Sequence, residues 1–167
     1  MKVIDNFLTP SEADLLENVF LKNNNEIWNF VHNRPYPYFV HLLYKLPHDD
    51  DYEISPLFKY VQPILLKLNR MKFLVRAKVN LYPQKDSVQV QDMHTDFPFD
   101  CNAGCYFVNS NNGYLSFEDG TKIDAKKGRI VLFNGFTKHA AAYCSDEKSR
   151  VTINFNYVEN IVYKDLS

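Results

Sequence analysis

A chain of 167 residues with 19 Lys and Arg against 20 Asp and Glu carries a formal charge of −1. That length suits one domain able to bury roughly 68–70% of its unfolded surface around a single pocket, and the balanced charge argues against a broad nucleic-acid footprint. The three cysteines form no CxxC pair, the start MKVIDNFLTP lacks the apolar run of a signal peptide, and no stretch approaches a membrane span, so a reduced, soluble, cytoplasmic protein with no membrane partner is expected.

The first element is announced by Thr9-Pro10-Ser11-Glu12: an N-cap, a proline suited to the first helical position, and a glutamate completing a capping box. Ala13, Leu15, Leu16, Val19 and Phe20 then form a helical apolar stripe. Ser55-Pro56 opens a second helix in the same manner, with Leu57, Phe58, Val61, Ile64, Leu65 and Leu68 on one face and Pro63 placed to bend it. Between the two, WNFVHNRPYPYFVHLLY is crowded with aromatics and is read as covering and packing the core. Residues 1–74 are thus expected to be a helical N-terminal cover.

From residue 75 the texture changes to short alternating runs. RAKVNLY, VQVQDMH, GCYFVN, YLSFE, TKIDA, RIVLF, KHAAAYC and RVTINFNYV are the candidate strands, and Asn111-Asn112-Gly113, Asp119-Gly120 and Lys127-Gly128 the tight connections. Eight such strands over 75–158 predict a mainly β protein with N-terminal helices, built as a sandwich or jelly roll.

Parity on those strands separates two kinds of face. In RVTINFNYV, Val151, Ile153 and Phe155 share one side, and Arg150, Thr152, Asn154 and Asn156 the other. In KVNLY, Val79 and Leu81 oppose Asn80 and Tyr82. Faces carrying Asn, Thr, Tyr and an arginine, rather than Lys and Glu, predict a lined pocket. The stretch QDMHTDFPFD adds His94 and Asp96, two residues apart, and His139 opens a later strand. Two imidazoles and a carboxylate make the facial triad of a non-haem Fe(II) site, a Zn site, or an incidental set with a core histidine at His139. The other His-x-Asp triplet, His48-Asp49-Asp50, reads as a solvated acidic loop. Arg150 in a pocket would grip a carboxylate through its planar fork, with Thr152 and Tyr82 as hydroxyl donors.

In these motifs the chain resembles the Fe(II)- and 2-oxoglutarate-dependent oxygenase superfamily, in its small prolyl-hydroxylase-like branch. The likeness runs from VIDNFLTPSEADLL through NLYP, HTDFP, NGYLSFEDG and KGRIVLFNGFTKH to RVTINF. It implies a double-stranded β-helix (a jelly roll) and Fe(II) held by His94, Asp96 and His139. It also implies 2-oxoglutarate bound by Arg150, Tyr82, Asn80 and Thr152, with O2 as the second co-substrate. The implied reaction couples decarboxylation of 2-oxoglutarate to hydroxylation of a C–H bond, in a prolyl or other residue of a peptide or protein. A free amino acid or small molecule, a nucleobase, or a non-catalytic jelly-roll metal-binding module are the alternatives. Collagen-type prolyl hydroxylases carry a lysine where Arg150 stands, and nucleic-acid dealkylases a second arginine where Asn156 stands, so a nucleic-acid partner is disfavoured. Trp28, Tyr36, Tyr38 and Phe97 are candidates to line the substrate entrance.

Overall fold

The computed structural model describes residues 1–22, 28–48, 51–68 and 70–159. Eleven strands run in chain order as β1 (Lys2–Ile4), β2 (Asn29–Val31), β3 (Tyr38–His48), β4 (Asp51–Ile54), β5 (Phe73–Pro83), β6 (Asn102–Phe107), β7 (Tyr114–Phe117), β8 (Lys122–Asp124), β9 (Ile130–Asn134), β10 (His139–Ala141) and β11 (Ser149–Val158). Helix α1 (Pro10–Glu17) continues into a π-helical turn, Asn18–Lys22, and α2 spans Phe58–Leu66. No helix among the described residues is long and apolar enough to cross a membrane.

The capping box forms as the sequence predicts. Thr9 Oγ1 accepts from the Glu12 backbone N–H at 3.4 Å, and the Glu12 carboxylate accepts from the Thr9 N–H at 2.8 Å. Of the expected stripe, Ala13, Leu16, Val19 and Phe20 are buried, while Leu15 is 47% exposed. The second helix starts later than its proline suggests. Ser55 Oγ accepts from Leu57 N–H at 3.2 Å and also bonds His41 Nε2 at 2.8 Å, so it shapes the turn before α2 instead of capping it. Val61, Ile64 and Leu65 form the buried face of α2.

Strands assemble into two antiparallel sheets, as a jelly roll requires. The larger has the order β1-β9-β6-β11-β5-β3-β2, with β4 paired to β3, and the smaller is β10-β7-β8. The helices pack beneath the large sheet, where Leu16, Phe20, Val61 and Ile64 meet Val79, Val151, Ile153 and Phe155 in one apolar cluster. A second cluster fills the space between the sheets, with Cys105, Phe107, Val131 and Phe133 against Leu115 and Phe117. Gly104 on β6 is required by close approach: a Cβ there would lie 2.2 Å from the Phe155 ring. Gly120 and Gly128 hold φ of +86° and +80° in the turns after β7 and β8, a conformation that side chains resist.

Two regions depart from the sequence reading. The aromatic segment before α2 forms β2, β3 and β4, and β3 pairs with β5 from Phe39↔Leu81 to Lys45↔Arg76, extending the large sheet. Its mix of aromatic and β-branched residues lacks the clean alternation that marks a one-sided strand. Conversely, VQVQDMH is not a strand: only isolated bridges, Val90↔Ala142 and His94↔His139, tie it to β10 and the residue beyond. Asp49 and Asp50 of the second His-x-Asp triplet lie outside the described residues.

Candidate metal centre and co-substrate pocket

A backbone exchange brings the first two candidate ligands together. His94 N–H donates to His139 C=O at 3.0 Å, and His139 N–H donates back to His94 C=O at 2.9 Å, so the two imidazoles stand with ring centroids 4.7 Å apart. Asp96 is placed by its own N–H, which reaches Gly135 C=O at 3.2 Å. One ligand atom from each of His94, Asp96 and His139 lies within 4.8 Å of the other two.

The atoms that face away from this centre are tied down. His94 Nδ1–H donates to Asp92 C=O at 3.2 Å, and His139 Nδ1–H to Thr137 C=O at 2.8 Å. Each bond selects the tautomer that leaves Nε2 with a free lone pair, the form a metal needs. Phe133 meets the His139 ring edge-on at 4.8 Å and helps to bury it. Burial, then the neighbouring His139, lowers the His94 pKa. Burial pushes the Asp96 carboxyl upward, but the Asn156 hydrogen bond and the nearby His139 and Arg76 charges outweigh it, and the net shift is down. Asn156 Nδ2 donates to Asp96 Oδ2 at 2.9 Å, and Arg76 Nη2 donates to Asp96 Oδ1 at 3.1 Å. Arg76 also binds Asn156 Oδ1 at 3.0 Å and lies over the Phe97 ring at 4.5 Å.

From this centre a cavity of about 140 Å³ runs along the paired strands β5 and β11. Its floor is a ladder in antiparallel register, Arg150↔Tyr82, Thr152↔Asn80 and Asn154↔Lys78, and Arg76, paired with Asn156, continues the lining. The parity argument therefore holds on both strands, with polar residues facing the cavity and apolar residues the helices. Thr152 Oγ1 donates to Asn154 Oδ1 at 2.7 Å, and Asn80 Nδ2 donates to the same oxygen at 3.0 Å.

Arg150 closes the far end. It is 1% exposed, with its guanidinium carbon 5.0 Å from the Tyr82 ring centre and 5.3 Å from that of Phe107. Its Nε and Nη1 have no hydrogen-bond partner among the described residues. An unpaired buried guanidinium is costly by several kcal/mol and is a ready seat for a carboxylate. Burial raises the Tyr82 hydroxyl pKa well above its usual value despite Arg150 beside it, so this hydroxyl keeps its proton and remains a donor.

The remaining sequence candidates separate. Tyr38 reaches the cavity wall and stacks on Tyr82 at 5.2 Å. Tyr36 packs edge-on against Tyr143, whose hydroxyl donates to Tyr36 C=O at 2.6 Å. Phe97 lies beneath Arg76 and beside Phe99. Trp28 packs against the apolar cluster shared with the helices, so the structure does not bring it to the cavity. Among the wall residues that escaped the sequence reading are Arg76, Lys78, Gln91 and Arg34. The first two were signalled by parity, because they continue the Asn80–Tyr82 face of RAKVNLY by two more alternate positions.

The donor set fits a divalent metal of the borderline class: two imidazoles whose Nδ1–H groups are held by backbone carbonyls, and one hydrogen-bonded carboxylate. The seat at Arg150 fits a dicarboxylate. No family model matches the chain, and no curated protein matches it in sequence. Solved structures do. The prolyl hydroxylase of Trichoplax adhaerens, in complex with a hypoxia inducible factor oxygen degradation domain peptide fragment, aligns with TM-score 0.65 at 16% identity, over 95% of this chain and 83% of that one. A prolyl-4-hydroxylase of Pseudomonas putida aligns at 0.61 and 11% identity, covering 95% and 92%. SnoN, a non-heme alpha ketoglutarate dependent epimerase from nogalamycin biosynthesis, reaches 0.70 at 14% identity, covering 94% and 76%. The chain thus has the double-stranded β-helix fold of the 2-oxoglutarate and Fe(II) oxygenases, prolyl hydroxylases among them.

Proposed function

We propose that this chain is an Fe(II)- and 2-oxoglutarate-dependent oxygenase that hydroxylates a C–H bond in a prolyl or other residue of a peptide. The observation that carries the reading is the pairing of two unsatisfied seats in one cavity: three metal-ligating groups at one end, and a buried guanidinium lacking a partner at the other. His94, Asp96 and His139 would hold Fe(II). Arg150 would take the far carboxylate of 2-oxoglutarate bidentately, with the protonated Tyr82 hydroxyl as a further donor and Asn80 and Thr152 along its length. The bound metal, O2 and 2-oxoglutarate together supply the oxidising chemistry.

The chain's own contribution is positioning. Asn156 and Arg76 hold the Asp96 carboxylate, the backbone carbonyls of Asp92 and Thr137 orient the imidazoles, and Phe133 packs against the His139 ring. Cavity size favours a peptide over an engulfed small molecule. At about 140 Å³, it falls below the roughly 300–1,000 Å³ of a site that swallows a drug-sized ligand. That size suits a target group offered by a larger molecule that stays outside. Trp28, Tyr36 and Phe97 stand outside the cavity wall, and of the four aromatic candidates Tyr38 is the one this reading keeps beside the substrate.

Anaerobic titration of the metal-free protein with Fe(II) and 2-oxoglutarate tests this directly. A visible charge-transfer band is expected on adding both, absent in His94→Ala and needing more 2-oxoglutarate in Arg150→Met. A folded protein that gives no band overturns the reading.

A further inference from the structure

The cavity carries more positive charge than the proposed reaction uses. Four cationic side chains line it, Arg34, Arg76, Lys78 and Arg150, against the carboxylates of Asp92 and Asp96. A divalent metal and a dicarboxylate cancel each other and leave that balance unchanged. Arg76 is committed to Asp96 at 3.1 Å, and Arg150 is the seat for the far carboxylate of the co-substrate. Lys78 has no such commitment. It makes no hydrogen bond or ion pair among the described residues, although the Oδ1 of its cross-strand neighbour Asn154 accepts two, from Asn80 and Thr152.

Lys78 stands two rungs of the ladder from Arg150, roughly 13 Å along the strands at ~3.3 Å per residue. A carboxylate held by Arg150 therefore does not neutralise it. Arg34, exposed, lines the same cavity from the segment between β2 and β3. An ammonium half-withdrawn from water with no hydrogen bond or ion pair among the described residues is unfavourable unless an anion arrives, and burial with the charge of Arg76, opposed by Asp96, lowers its pKa to about 8.

We infer that Lys78, with Arg34 outside it, forms a subsite for a carboxylate of the substrate, so that the peptide hydroxylated here carries an acidic residue beside its target. This rests on the oxygenase reading above and names the substrate class for it. The same chemistry has a second source, the carboxylate of a free amino acid, and the test separates the two.

Protein loaded with Zn(II) in place of iron and saturated with 2-oxoglutarate is titrated calorimetrically with two acid/amide pairs. The pairs are acetyl-Glu-Pro-amide with acetyl-Gln-Pro-amide, and L-proline with L-prolinamide. The peptide acid is expected to bind about tenfold tighter than its amide, the effect of one charge-assisted hydrogen bond. Lys78→Met should erase that preference and the exposed Arg34→Gln reduce it, with 2-oxoglutarate affinity unchanged in both. Acid preference confined to the proline pair overturns the peptide assignment in favour of a free amino acid. No preference in either pair, or a preference surviving in Lys78→Met, overturns the subsite. Weakened 2-oxoglutarate binding in Lys78→Met overturns it too, by giving the lysine to the co-substrate. If the wild-type protein binds no 2-oxoglutarate at all, the oxygenase reading is what has failed.

Discussion

Where His94, Asp96 and His139 meet, each side chain has its outward atoms fixed by a backbone carbonyl, an amide or a guanidinium. At the opposite end of the same cavity Arg150 is held by aromatic rings on two sides, and its Nε and Nη1 are bonded to nothing among the described residues. One end is organised by hydrogen bonds around three ligand atoms suited to a cation; the other is organised by packing around a charge suited to an anion. The difference teaches how each end should respond to mutation. A hydrogen-bonded end loses its geometry when a supporting group is removed, whereas a packed, unpaired charge loses its ligand but relieves its own burial cost.

The largest effect is expected from Asp96→Ala, which removes a proposed ligand: metal retention after dialysis should vanish together with turnover, while circular dichroism stays native. Retained metal would break the view that these three groups form the cation site. Arg150→Met comes next. Loss of two charge-assisted bonds at roughly 1.5–3 kcal/mol each should weaken 2-oxoglutarate binding at least ~100-fold, yet the apoprotein's melting temperature should hold or rise because a buried unpaired charge is gone. A large fall in melting temperature would show that Arg150 has a partner in the unliganded protein.

Asn156→Ala should be milder and sharpen the comparison from the other side. It leaves all three ligands in place but frees the Asp96 carboxylate, so metal affinity should drop about 10–100-fold, measured by competition with a chelator. The smallest effect concerns Lys78, whose pKa is lowered from 10.5 to about 8 by burial first and then by the charges of Arg76 and Arg34, with Asp96 opposing. The folded state thus binds fewer protons than the unfolded one between those values, and stability contributed by this group rises with pH across that window. Lys78→Met should accordingly be more stable than the parent apoprotein below pH 8, with the advantage shrinking toward pH 10.5 in urea unfolding experiments.

Much of this site was legible because strand parity is a strict code. Once β5 and β11 are placed, Tyr82, Asn80, Arg150 and Thr152 must share a face, and so must Lys78 and Arg76. What misled was composition: excluding lysine from pocket faces passed over a lysine on that very face. The position of QDMHTD was readable as a motif but not as structure, because two isolated bridges, not a ladder, align it with His139. β3 was hidden for the opposite reason. Both its faces meet other groups, Leu43 within the core and Tyr38 on the cavity wall, so no period of two shows through.

β11 has a consequence for how the protein is made. It is the last strand to be synthesised among those described, yet it lies in the middle of the large sheet, between β5 and β6. While the ribosome is still short of residue 149, those two strands have edges facing each other and nothing to join them. The β11 half of the cavity floor, Arg150 included, arrives in one late insertion that closes contacts distant in sequence, a slow step by the rules of chain topology. A nascent chain therefore carries all three of its proposed metal ligands before Arg150 of the co-substrate seat exists.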